Sequence, residues 1–439
     1  MKKIILSILS LTVLITVRAQ TNADTLRISR QQAMETGLKN RFDIQANQYN
    51  IKVAETNVRK AKNERLPEVN GSADVRYNMQ LQQSVIPGGI LPGYDKAQLV
   101  ALGPTKNMSI FGISLQQPVF DRNRTNNIKI AENKAAQQQE KNKADEITIR
   151  TRIAQAYLDV LLKELQQQIA ADNVARNEAY ALLAEGKYQH GALIENDYLR
   201  IKLDLENAKL SATEADQQYA LALMALKYEM NIPAGTPLLL TDHLGMPEAT
   251  AMQEAQNERT EIRQLRLSLE EDQLLLKKTK QSTLPIVSLM ANYSQQYLND
   301  NFNYGQSKWW SPFSYAGIKL DIPLSAHFKN KTNVQEYKHQ VRQHELMLEQ
   351  KKADISYEVQ QARTSLSNAL LNMQQARKNY DLSQQIYSNQ RQQFELGVFQ
   401  YSDLLDTEKA MQSTEQGYIQ SVYDYLTATI NYQHAIAEL

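Results

Sequence analysis

The run Leu66-Pro67-Glu68-Val69-Asn70-Gly71-Ser72-Ala73-Asp74-Val75-Arg76-Tyr77-Asn78-Met79-Gln80-Leu81 is where the hydrophobic period of this chain changes. Upstream, from Ile28 to Arg65, apolar residues recur at helical spacing. Ser29 stands where an N-cap belongs before a short helix ending near Gly37, and Asp43 opens a longer helix carrying Ala46, Val53, Ala54 and Val58. Pro67 stops that helix, because its ring removes a donor and pushes the preceding residue out of the α region. Beyond it Val69, Gly71, Ala73, Val75, Tyr77, Met79 and Leu81 alternate with Glu68, Asn70, Ser72, Asp74, Arg76, Asn78 and Gln80. A period of two places these sets on opposite faces of a strand.

The same passage is written twice. Arg41-Phe42-Asp43-Ile44 returns as Arg259-Thr260-Glu261-Ile262, and Leu66-Pro67 as Leu284-Pro285, both displaced by 218 positions. Pro118 returns as Pro323 at 205, Asn123-Arg124-Thr125-Asn126 as Asn330-Lys331-Thr332-Asn333 at 207, and Gly191 with Asp197 as Gly397 with Asp403 at 206. Internal repetition of this kind decides architecture before any local reading does. The first copy is longer by thirteen residues between its Leu-Pro and the later proline, 51 positions against 38. The extra stretch, around Ser84 to Lys106, is dense in proline and glycine and reads as a loop.

Each copy also holds a return strand, with Phe111, Ile113 and Leu115 in the first and Ile318, Leu320 and Ile322 in the second. Aromatic residues Tyr297, Phe302, Tyr304, Trp309, Trp310, Phe313 and Tyr315 crowd the second hairpin, as at the interfacial girdle of a membrane barrel. Among them Trp309, Trp310, Phe313 and Tyr315 are the candidate membrane-interface residues. Small closed barrels begin near eight strands, so four strands per chain require association.

After Pro118 and Pro323 come stretches of about 60 residues rich in Ala, Gln, Glu, Lys and Leu, or roughly 90 Å of helix at 1.5 Å per residue. Helices of that length pack sideways on partners. On the returning helices Leu404, Met411, Tyr418, Tyr425 and Tyr432 are seven apart, as are Tyr198, Leu205, Ala212, Tyr219 and Leu226 in the first copy. One packing stripe is therefore expected to serve both copies. The organisation predicted is residues 20–230 as a first repeat (hairpin about 67–118, helices about 122–188 and 192–230) and 231–439 as a second (hairpin about 285–323, helices about 326–394 and 398–437).

Residues 1–19 read as a signal peptide: Lys2 and Lys3, an apolar run from Ile4 to Val17, and Val17-Arg18-Ala19 at the cleavage position. Fourteen apolar residues are too few for a membrane-spanning helix. Removal of Lys2, Lys3 and Arg18 turns 49 basic and 48 acidic residues into 46 and 48. A near-neutral mature chain offers no basic field for nucleic acid. With no cysteine, disulfides, thiolate metal sites and a lipidated N-terminal cysteine are excluded. A secreted chain without a helical anchor can still enter a membrane as a closed barrel.

Catalytic chemistry finds no foothold. The six histidines, His190, His243, His327, His339, His344 and His434, form no HExxH pair, the glycines near 88–93 lack a phosphate-loop lysine, and GxSxG is absent. No catalytic residue, metal ligand or cofactor is assigned. The turns Tyr188-Gln189-His190-Gly191 through Asp197 and Arg200, and Phe394-Glu395-Leu396-Gly397 through Asp403 and Asp406, remain as candidate functional elements. Glycine closes a helix in the left-handed region, and aspartate favours the start of the next.

These elements, in this order and twice over, resemble the TolC family of outer-membrane efflux proteins: the Ile44-Gln45-Ala46 stretch, Leu-Pro before each first strand, proline closing each second strand, and an aromatic-x-x-Gly-x5-Asp turn in both copies. The resemblance implies a homotrimer, with a twelve-stranded transmembrane β-barrel in outer-membrane lipid continuous with a twelve-helix periplasmic α-barrel. It implies a periplasmic adaptor, an inner-membrane pump of proton-driven or ABC type, and a Gram-negative envelope. It makes Asp403 and Asp406 the channel constriction, and it turns Tyr188, Gly191, Phe394 and Gly397 toward the adaptor. The family latch joins an aspartate matching Asp197 to a tyrosine and an arginine, but Phe394 and Phe399 stand at those places and donate nothing. Arg200 is the expected substitute, pairing with Asp403 or Asp406 of a neighbouring helix. The competing reading is a secreted coiled-coil structural protein, which leaves the alternating strands without a task.

Overall fold

A computed structural model describes residues 25–438 except 91, 94, 101–104, 245–257, 397 and 399. The signal peptide, Gly397 and Phe399 lie outside the described residues. The chain divides into two compact units, one of residues 1–42, 146–255 and 359–439 and the other of 43–145 and 256–358.

In the first unit, strand β1 (Leu26–Ile28) leads into α1 (Arg30–Asn40). Ser29 caps α1 reciprocally with Gln32, a capping box that contributes about 1 kcal/mol. Helix α2 (Phe42–Asn63) follows after a single residue and carries Asp43 in its first turn. The longest helices are α3 (Arg122–Gln189) and α6 (Ala326–Glu395), and each contributes residues to both units. Helices α4 (Glu195–Glu229) and α7 (Tyr401–Ala435) return along the first unit. β1 pairs in parallel with β6 (Leu238–Leu240), a ladder too short to show a period in the sequence. Tyr157 of α3 is fully buried, and its hydroxyl donates to the Ile28 carbonyl at 3.0 Å. At Gly37 a Cβ would stand 2.3 Å from the Ile153 Cδ1, so a larger residue there would oblige that side chain to move.

The second unit holds helix α5 (Thr260–Gln281) and a four-stranded antiparallel sheet of β2 (Glu68–Tyr77), β5 (Asn107–Phe120), β7 (Ile286–Asn299) and β8 (Trp310–Asp321), in the order β2-β5-β7-β8. β2 ends at Tyr77, although the alternation continues to Leu81. Its partner begins at Asn107, opposite Tyr77, and past that pair one further backbone bond is made among the described residues, from the Asn78 amide to the Lys106 carbonyl at 2.7 Å. The expected loop between β2 and β5 contains its own short ladder, β3 (Ser84–Ile86) with β4 (Gln98–Val100). Pro118 sits beside a β-bulge between Pro118 and Phe120, where a missing donor is tolerated. The sheet is open: β2 and β8 each keep one unpaired edge among the described residues, so a closed barrel is not a property of the single chain.

Among the described residues no helix is long and apolar enough to cross a membrane.

Candidate functional site

The register fixes what each face of the sheet presents. Val69, Leu115, Ala291 and Ala316 form one row across the strands, Gly71, Ile113 and Tyr293 the next, and Leu289 with Ile318 another. Val69, Val75, Ile113, Tyr293, Ile318 and Leu320 are all exposed in the chain. Covering one such aliphatic side chain stabilises by about 1.5–3 kcal/mol, so a whole face of them left in water is a large cost. The opposite face carries Glu68, Asn70, Ser72, Asp74 and Arg76, with Arg76 paired to Asp74. One side suits hydrocarbon and the other water.

At the hairpin end of the apolar face, Tyr297 is fully buried, stacked on Tyr304 at 4.2 Å and 5.3 Å from Trp310. The Trp310 indole donates to the Tyr304 carbonyl at 2.9 Å, and the Ser109 and Tyr304 hydroxyls are 2.6 Å apart. The register splits the four aromatics singled out in the sequence. Trp310 pairs with Tyr297 on the apolar face, whereas Phe313 and Tyr315 pair with Ser294 and Asn292 on the polar face. Trp309 precedes β8 and donates to the Gln306 side chain at 3.1 Å.

In the first unit the helical turns carry the other candidate residues. After α3, Gly191 has φ +69°, and the amides of Gly191 and Ala192 bond back to the Tyr188 and Lys187 carbonyls at 3.0 and 2.8 Å. A side chain at Gly191 would meet nothing, so its conformation alone demands glycine. Asp197 lies in the first turn of α4 and Asp403 in that of α7, where the helix dipole favours them; neither is the N-cap. Asp403 and Asp406 are exposed, one turn apart on α7. Asp403 accepts a long bond from the Ser402 hydroxyl at 3.4 Å, and the Asp406 side chain has no partner among the described residues.

Asp197 is half-buried and borders a cleft of about 460 Å³ lined also by Tyr180, Lys187, Ile194, Phe394 and Ser402. Arg200 is exposed, and among the described residues its side chain makes no ion pair. Tyr188 stacks on Tyr198 at 4.9 Å and stays partly exposed. Phe394 turns inward: it is buried, meets Tyr180 edge-on at 6.5 Å, and lies under the Lys187 ammonium at 4.5 Å.

Sequence reasoning missed a buried polar cluster behind these turns. Glu408 of α7 is 2% exposed and accepts from Arg176 of α3 at 3.1 Å. Gln412 donates to Glu408 at 3.3 Å and to Asn173 at 2.9 Å. Burial pushes the Glu408 carboxyl above the usual carboxylate range, the Arg176 guanidinium opposes that rise, and Asp204 of α4 adds to it. Nearby the Tyr180 and Tyr387 hydroxyls bond each other at 2.6 Å, and burial followed by that bond raises Tyr180. The available signal was Glu408 itself, which sits on the apolar stripe between Leu404 and Met411.

A sheet with one greasy and one polar face, and long helices ending in carboxylate-bearing turns, are features that fit the class of outer-membrane channel proteins. The chain belongs to the outer membrane efflux protein family, whose model matches residues 33–230 and 251–438. Members of this family are channels and not enzymes, placed in Gram-negative outer membranes with a periplasmic helical domain. The alkaline protease secretion protein AprF of Pseudomonas aeruginosa is 21% identical over 328 residues, covering 72% of this chain and 67% of that one. A membrane protein of Pseudomonas aeruginosa has the same fold at 15% identity, with TM-score 0.73 and 93% of each chain covered. The Campylobacter jejuni CmeC outer membrane channel matches with TM-score 0.71 at 14% identity, over 93% of this chain and 85% of its own.

Proposed function

We propose that three copies of this chain form the outer-membrane exit duct of a tripartite export system. The observation that carries this reading is the open sheet, whose edges β2 and β8 are unpaired and whose apolar face is exposed. Four strands from each of three copies give twelve, enough to close a barrel and leave a water-filled bore. The organisation in two structural repeats, 20–230 and 231–439, then supplies twelve tunnel helices, four from each copy. The duct is passive: an inner-membrane pump, proton-driven or ABC type, delivers solute through a periplasmic adaptor that grips the turns at Tyr188, Gly191 and Gly397. Without a cysteine the chain is held in lipid by the barrel alone.

Asp403 and Asp406 supply the constriction. Exposed and without ion-pair partners among the described residues, they would set up to six carboxylates round a three-fold axis, a field that favours cations and resists narrowing by repulsion. The test is to extract the chain in detergent and record from planar bilayers. Heat-modifiable trimers conducting a cation-selective current, with selectivity falling in Asp403→Asn/Asp406→Asn, are expected. Recovery as a soluble monomer overturns the reading.

A further inference from the structure

The cluster behind the turns joins four helices through side chains gathered about the buried Glu408. Glu408 of α7 faces Arg176 and Tyr180 of α3, Asp204 of α4, and Tyr387 and Arg391 of α6. Arg176 spends its Nε on Glu408, while its Nη2 and the Oδ2 of Asp204 are buried without a hydrogen bond. Two carboxylates thus share the Arg176 guanidinium in a seam where Glu408 is buried and Asp204 half-buried, with Arg391 beside the neighbouring tyrosines as the other positive charge. The cluster is peculiar to one seam of the duplicated chain. At the repeat displacement of 206, the places of Glu408, Arg176 and Asp204 are taken by Lys202, Leu382 and Ala410.

The geometry points to a proton-linked clamp: uptake of a proton by the buried Glu408 completes the packing of α7 against α3 and α4, and its loss opens that seam to water. This goes beyond the channel reading, since it concerns helix packing whether or not the chain conducts. The sign follows from burial. Glu408 binds its proton more tightly in the packed seam than when hydrated, so its contribution is fully present below the ordinary carboxylate pKa. It is lost as pH rises through the raised value.

Thermal melting of the full chain in detergent, from about pH 5 to about pH 9, tests this. Other groups titrate alike in wild type and Glu408→Gln, so the difference between their melting curves reads Glu408. Wild type should fall behind Glu408→Gln on the order of 2 °C as pH rises. Asp204→Asn should move that divergence to lower pH, and Arg176→Gln to higher pH. Parallel melting of wild type and Glu408→Gln across the range overturns the clamp, as does a shift of the two flanking variants in the same direction. A chain that failed to conduct in bilayers would leave this readout intact.

Discussion

Helices α4 and α7 descend from one ancestral segment yet live in different surroundings. On α7 the heptad residues Leu404, Met411, Tyr425 and Tyr432 are all buried, and Tyr418 packs against the same core. On α4 the counterparts Tyr198, Leu205, Ala212 and Tyr219 are half-buried and the fifth, Leu226, is fully buried. Ile201, Ala208 and Ala222 are buried beside them, and a further row of Leu203, Leu210 and Met224 faces outward. The stripe is therefore less deeply covered on α4 than on α7. α7 finds its neighbours within the chain, while α4 is covered on one flank and offers heptad-spaced leucines on the other. Repetition of sequence transmits the pattern of contacts but not who makes them.

The largest test of that contrast lies on α4. Leu203 and Leu210 are 60% and 59% exposed, so charges placed there disturb nothing inside the chain. If the proposed trimer covers this row, Leu203→Glu with Leu210→Glu should abolish the trimer on native gels while leaving helix content by circular dichroism unchanged. Retention of the trimer would mean that α4 keeps a wet flank and the assembly closes elsewhere. On α7 the expectation reverses. Tyr425→Ala empties a site that is 1% exposed, costing about 3–5 kcal/mol by analogy with other large-to-small core substitutions. The loss should appear as a lower denaturation midpoint, with oligomeric state preserved in what remains folded.

The contrast also shows what the sequence could convey. Alternation from Val69 to Tyr77 is local, so the strand and its two faces were legible without its partners. Where it stops is not local, because Met79 and Leu81 continue the period past the Tyr77–Asn107 pair and the Asn78–Lys106 backbone bond that follows it. The β1–β6 pairing joins residues more than two hundred positions apart through three residues each, below any periodic signal. Glu408 was visible as an acid on an apolar stripe, but Arg176, its partner, lies 232 residues away. Phe394 looked like a tip residue by its place beside the turn. Tyr180 and Lys187, on another helix, draw it inside. The aromatics of β8 read as one girdle until register put Phe313 and Tyr315 opposite Trp310's face.

The smallest effect is expected where the copies differ by a charge reversal, at Arg200 and Asp406. Both are exposed and neither has a side-chain partner among the described residues, which leaves them open to pairing with a second copy. We propose that Arg200 of one subunit meets Asp403 or Asp406 of the next and holds the closed tip, in place of the phenylalanine-blocked family latch. An exposed ion pair contributes only about 0.2–1 kcal/mol, and three of them act together round the axis. Arg200→Ala should therefore raise closed-state conductance in bilayers by a few-fold, and added salt should mimic part of that rise in the wild type. An unchanged closed-state conductance would retire Arg200 as the latch. The tip would then be held by the buried grip of Arg176 on Glu408 of α7, a pair that has no counterpart at the repeat displacement.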